Sequence, residues 1–147
     1  MSDYCFVDTN ILVYFRDSSE LGKQQVAADW LSLIWEKQIG CLSIQVLNEY
    51  YVTVTQKLNP GLDPESARLD VKNLMSWNPL TVNKYLMELG WTIQDRYKFS
   101  WWDSLIVAAA KKTNCTWLIS EDFQHQQKID NLTFINPFVS QLDQFVK

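Results

Sequence analysis

YCFVDTNILVYFR, residues Tyr4 to Arg16, sets an apolar run, one acid and a helical stretch in direct succession. Tyr4–Val7 reads as a buried strand and Thr9–Arg16 as a short helix, with Asp8 at the junction. An acid in that position is in the first instance an N-cap, accepting from backbone N–H groups of the first turn. Its further meaning depends on whether other acids recur at comparable junctions.

The alternation continues along the chain. Ser19–Glu36 carries Val26, Ala27, Trp30, Leu31 and Ile34 near helical spacing. Cys41–Ile44 (CLSI) predicts a second strand, and Gln45–Leu58 a helix ending at the break NPGLDP, Asn59–Pro64. Glu65–Met75 predicts a further helix, Pro79–Val82 a short strand, and Asn83–Tyr97 and Trp101–Thr113 two more helices. Thr116–Ile119 (TWLI) and Thr133–Asn136 (TFIN) predict late strands, and PFVSQLDQFVK a short helix or docked end. Strands alternating with helices predict an α/β sandwich around a mostly parallel sheet, whose functional crevice lies beyond the carboxyl ends of the strands. Without a repeat, low-complexity tract or linker, the 147 residues predict one domain, 1–147.

Composition narrows the function. A hydrophobic fraction of 47% with seven Trp fits a well-packed globule. Thirteen basic against 17 acidic residues, a net charge of −4, argues against a protein that grips nucleic acid by bulk electrostatics. An enzyme that touches nucleic acid stays open, provided a cation screens any local acidic cluster. No apolar run approaches the roughly 20 residues needed to span a bilayer. The start, MSDYCFVD, lacks a basic region followed by a long apolar segment, so no signal peptide is expected. Cys5, Cys41 and Cys115, dispersed and without a CxxC pair, predict reduced core thiols and a cytoplasmic location.

Four acids stand in comparable places. Asp8 and Asp122 (TWLISEDF) follow strands, Asp103 opens the helix of KFSWWDSLIVAAA, and Glu49 lies in SIQVLNEYYVTV, one turn into the helix after CLSI. Each has an ordinary explanation. Asp8 and Asp122 suit caps or turns. Ser100 with Asp103 resembles a capping box, and Glu49 fits an exposed stripe with Gln45, Asn48 and Gln56. Together, however, all four would sit at one edge of a parallel sheet, where they repel one another unless a divalent cation lies among them. Oxygen ligands without a His or Cys cluster point to Mg²⁺ or Mn²⁺, not zinc, and the single His125 reads as a loop residue.

VDTNILVYF, SIQVLNEYYV, FSWWDSLIVAAA and LISEDF, in this order and at these spacings, resemble the PIN domain family, and within it VapC-type toxins of prokaryotic toxin–antitoxin pairs. The likeness runs from Phe6 to about Phe138. It implies a PIN-like three-layer α/β/α sandwich with a mostly parallel central sheet. It places the family's acidic quartet on Asp8, Glu49, Asp103 and Asp122, the polar residue two after the first acid on Asn10, and the hydroxyl two before the last on Ser120. It further implies an Mg²⁺-dependent (or Mn²⁺-dependent) ribonuclease, often a homodimer, held inactive by a cognate antitoxin protein. Many relatives continue the last motif with Leu-Gln-His-Gly, whereas this chain has Phe123-Gln124-His125-Gln126, losing a glycine but no acid.

On that reading Asp8 and Asp103 are the expected principal metal ligands, Asp122 completes the site, and Glu49 holds a water or a second ion. Asn10 and Ser120 orient the carboxylates, and the chemistry is phosphodiester hydrolysis. Arg16, Arg96 and Lys98, with Lys111 and Lys112, are the expected phosphate contacts on a single-stranded or looped RNA. Tyr97, Phe99, Trp101 and Trp102 divide between rings that stack on bases and rings that fill the core or a dimer contact. A haloacid-dehalogenase-like phosphotransferase would need an acid where Asn10 stands. A receiver domain would need an acidic pair beside Asp8 and a late Lys-Pro. The rival of another kind is a non-catalytic PIN-like module that binds RNA or protein, although four clustered acids without a metal would destabilise it.

Overall fold

β1 (Cys5–Val7) lies between two parallel neighbours, β2 (Gly40–Cys41) and β3 (Trp117–Ile119), with Phe6 opposite both Cys41 and Leu118. The computed structural model describes residues 3–140 and 142. Beyond β3 lies β5 (Leu132–Ile135), also parallel, and antiparallel β4 (Lys128–Ile129) closes that edge. Among the described residues the sheet order is β2-β1-β3-β5-β4, mostly parallel as predicted. Phe6, Val7, Leu118 and Ile119 are fully buried, as expected of central parallel strands covered on both faces.

Six helices are described: α1 (Thr9–Arg16), α2 (Leu21–Lys37), α3 (Ile44–Val52), α4 (Pro64–Leu74), α5 (Lys84–Tyr97) and α6 (Trp101–Lys112). Asp8, Ser43, Asp63, Asn83 and Ser100 each cap one of them through a side-chain oxygen. α6 is buried continuously from Ser104 to Ala110. Its three successive alanines suit a helix covered on every side. Gly90 lets α5 approach it, since a Cβ there would meet the Trp101 ring at 3.0 Å. Among the described residues no helix is long and apolar enough to cross a membrane.

Several boundaries differ from expectation. The second strand is Gly40–Cys41, not Cys41–Ile44, because Ser43 Oγ accepts from the Val46 N–H at 3.4 Å and starts α3 at Ile44. The strand expected over Pro79–Val82 reduces to one parallel bridge, Ser43 to Leu80. The helix expected to reach Leu58 leaves α geometry after Val52 and widens into a π-helical turn, Thr53–Lys57. β4 was not expected; two residues carry no periodic signal. The end predicted for the tail falls largely on residue 141 and residues 143–147, outside the described residues, though Phe138 docks edge-on against Tyr14, centroids 5.2 Å apart. The cysteines, dispersed in the sequence, come together as free thiols: Cys5 opens β1, Cys41 ends β2 and Cys115 precedes β3.

Candidate active site

Asp8 leaves β1 and caps α1, and it is only 4% exposed. Its Oδ1 accepts from the Thr9 N–H at 2.7 Å, and its Oδ2 accepts from Ser120 Oγ at 2.8 Å and from Asn10 Nδ2 at 3.5 Å. Burial pushes its pKa up to about 7, and the charges of Asp122 and Glu49 add to the rise; the Ser120 and Thr9 hydrogen bonds oppose it. The cap and the site are therefore the same carboxylate.

Asn10 fastens the two crossovers. Its amide nitrogen also donates to Ser120 Oγ and Asp122 Oδ2, both at 3.1 Å, while its Oδ1 accepts from the Glu121 N–H at 3.3 Å. Ser120 Oγ in turn accepts from the Asp122 N–H at 3.1 Å. The turn after β3 is thus held against α1, with Asp122 facing Asp8. The adjacent Glu121 is turned elsewhere: it accepts from Tyr14 at 2.5 Å and Lys23 at 3.0 Å.

Glu49 reaches the same place from α3, its Oε1 accepting from Thr9 Oγ1 at 2.9 Å. Asp103 arrives from the first turn of α6, where Ser100 Oγ accepts from its N–H at 3.1 Å. Burial raises the Asp103 pKa, the charges of Asp122 and Glu49 raise it further, and Ser100 opposes them. Asp8, Glu49, Asp103 and Asp122 line one cleft of about 640 Å³. All four sequence-predicted acids, with Asn10, meet there, and Ser120 stands behind Asp8.

The donor set suits a hard divalent cation. It consists of carboxylate oxygens; burial and then the neighbouring acid charges raise the proton affinity of Asp8 and Asp103, and a bound cation would offset that repulsion. Among the described residues no three carboxylates, thiols or imidazoles are close enough to form a direct ligand cluster. Mg²⁺ keeps several waters and needs only one or two direct carboxylates, so a hydrated ion fits the residues present.

The predicted cations Arg16, Arg96, Lys98, Lys111 and Lys112 are not among the residues that line the cleft. Arg16 forks Asp70 on α4, Nε at 2.9 Å and Nη2 at 2.6 Å, and Tyr50 donates to the same carboxylate. Arg96 lies over the Tyr97 ring, with Asp130 within its field. Lys98 ends α5 at φ 61°, and Lys111 pairs with Asp130. Among the described residues the cation that lines the cleft is Lys57, brought there by the π-helical turn, a position no sequence signal announces. His125 is a loop residue as expected, its Nδ1 accepting from the Asn136 N–H at 3.0 Å.

The PIN domain family model matches residues 5–132. No curated protein matches the chain. Several solved structures share its fold. A toxin–antitoxin complex from Klebsiella pneumoniae superposes with a TM-score of 0.60 at 18% identity, over 90% of this chain and 97% of that one. VapBC2 from Rickettsia felis, bound to a DNA fragment from its promoter, gives 0.61 at 17%, over 89% and 96%. VapC20 from Mycobacterium tuberculosis, a sarcin-ricin loop cleaving toxin, gives 0.58 at 16%, over 78% and 86%. With the family match running from β1 to the first residue of β5 and taking in all four acids, the chain belongs to the PIN domain family.

Proposed function

We propose that this protein is a divalent-cation-dependent endoribonuclease, the toxin of a type II toxin–antitoxin pair, acting in the cytoplasm as a homodimer restrained by its antitoxin. One observation carries the reading: four carboxylates from separate parts of the chain share one cleft, with the pKa of the most buried of them, Asp8, pushed up to about 7 by its surroundings. The fold neighbours described as toxins, one of them as cleaving the sarcin-ricin loop, support the substrate class.

Asp8, Asp103 and Asp122 would hold Mg²⁺ or Mn²⁺, with Glu49 beside them. When bound, such an ion acidifies water and offsets charge on the phosphoryl oxygens of an RNA phosphodiester. The chain's own groups do the positioning. Ser120 and Asn10 fix the Asp8 carboxylate, Asn10 sets Asp122 against it, and Thr9 holds Glu49 to orient the attacking water.

The competing reading, a PIN-like module that binds RNA or protein without cutting, draws on the absence of a closed ligand cluster among the described residues. Incubation of total RNA with wild type and Asp8→Asn, in Mg²⁺ or Mn²⁺ and in chelator, separates the two. Cleavage is expected from the wild type with metal alone. A wild type that cuts nothing, or an Asp8→Asn protein that cuts equally, returns the function to the binding module.

A further inference from the structure

The cleft does not end at the acids. Next to Asp103 in the chain, the Trp102 indole forms part of its wall while remaining 61% exposed. A second hollow of about 630 Å³ adjoins it, sharing Gln45, Asn48, Glu49 and Trp102 with the first and bounded by Ile44, Val82 and Leu105. An exposed indole, three aliphatic side chains and two carboxamides in one lining suit a flat heteroaromatic group.

Its neighbours do not compete for that role. Trp101 stacks on Trp91 at 6.2 Å and lies against Gly90; Tyr97 stacks on Phe99 at 5.9 Å, which packs on Phe123 and Phe134. Of the four aromatics singled out in the sequence, Trp102 is the one turned out beside the acids. Charge gives a reason for it. The protein carries −4 overall, and among the described residues Lys57 is the cation lining the acidic cleft. A polyanion held so weakly by ionic contacts needs another source of affinity, and base–aromatic stacking supplies one that tolerates any base.

We infer that the hollow between Trp102, Gln45 and Asn48 binds one unpaired nucleobase of single-stranded RNA, stacked on the indole while its edge meets the carboxamides. The inference rests on the ribonuclease reading for its ligand and adds to it a strand requirement: a base locked in a duplex cannot enter the slot. Gln45 already donates to the Trp102 carbonyl at 3.5 Å, so base recognition and the start of α6 are joined.

The test uses the full chain in the Asp8→Asn background with Mg²⁺, so that RNA stays uncut. A labelled random single-stranded RNA dodecamer, the same pool as a duplex, and an abasic ribose-phosphate dodecamer are titrated by fluorescence anisotropy. The single-stranded pool should bind best, Trp102→Ala should weaken it about tenfold, and Trp102→Phe should restore most of the loss. The abasic strand should bind both proteins equally weakly. Equal affinity of Trp102→Ala and its parent for the RNA overturns the inference. So do an abasic strand that binds as tightly as the RNA, no binding of the single-stranded pool, and a Trp102→Ala effect confined to oligomeric state. The abasic arm needs no change at Trp102, so it decides even if that variant misfolds. Cleavage of the same pool by the Asp8 protein is scored in parallel. Base-dependent binding without cleavage sinks the nuclease reading alone; cleavage with base-independent binding sinks the base slot alone.

Discussion

Ser120 Oγ donates to Asp8 Oδ2 across 2.8 Å, joining the turn after β3 to the end of β1 over 112 positions of sequence. That bond favours the ionised carboxylate, yet burial wins and leaves Asp8 at about 7 instead of 3.8. Between those values the folded chain holds more protons than the unfolded one. Asp8 therefore takes stability away as pH rises from 3.8 to about 7, and no more above that. In chelator, the melting temperature should decline across this window, and Asp8→Asn should flatten the decline. Ser120→Ala removes a donor to the charged form, so Asp8 should hold its proton higher still. The midpoint pH for Mg²⁺ binding, followed by calorimetry, should then move up. An unmoved midpoint would separate Ser120 from the site.

Ser100, not Asp103, supplies the cap of α6, which leaves the Asp103 carboxylate to the cleft. Ser100→Ala should cost about 1 kcal/mol of stability and keep the Mg²⁺-induced rise in melting temperature. Asp103→Asn should melt no lower than wild type in chelator, because it relieves repulsion with Asp122 and Glu49. It should lose the Mg²⁺-induced rise. Melting curves with and without Mg²⁺ check both. An equal drop for Asp103→Asn in the two conditions would reduce Asp103 to a helix residue.

The acids were legible because backbone topology places them. A residue directly after a parallel strand, or in the first turns of the following helix, stands at the carboxyl edge whichever residue the strand ends on. The error in β2, one residue at its start and three at its end, therefore did not move Glu49 out of the cleft. The cations had no such rule. Arg16 is placed by Asp70, 54 residues away, and Lys57 by a π-helical turn whose sequence, TVTQK, carries no residue that demands it. Trp101 and Trp102 are adjacent and identical in type. Which of them enters the core is decided by the missing side chain at Gly90 on another helix.

The glycine missing from the last motif leaves a measurable trace. Gln126 takes φ 70°, the left-handed conformation that glycine adopts freely, and its N–H donates to Phe134 O at 2.7 Å, which holds it there. An L side chain in that region costs roughly 1–2 kcal/mol, while glycine gives back about 0.5–1 kcal/mol through the entropy of the unfolded chain. Gln126→Gly should raise unfolding stability by up to about 1 kcal/mol in denaturant titration, whereas Gln126→Ala should not. A loss on Gln126→Gly would mean that the exposed side chain makes a contact worth more than the relief of strain.

Lys57, and not Arg16, should make the phosphate contact that the sequence suggests for Arg16. The Arg16 guanidinium grips Asp70 in a fork that ties α1 to α4, with its own side chain 36% exposed, so solvent screens part of the attraction. Arg16→Ala should cost roughly 1 kcal/mol of stability and leave the salt dependence of RNA binding as it was. Lys57 is exposed and lines the cleft without an ion-pair partner among the described residues. Lys57→Ala should leave the melting temperature unchanged, weaken RNA binding, and reduce the slope of log affinity against log salt by about 0.7, the loss of one phosphate contact on a single strand. Binding isotherms at several salt concentrations, set beside melting curves, read both quantities on the same preparations. If the slope falls for Arg16→Ala instead, Asp70 must release Arg16 when RNA arrives, and the substrate path would run past α4 and not past the π-helical turn.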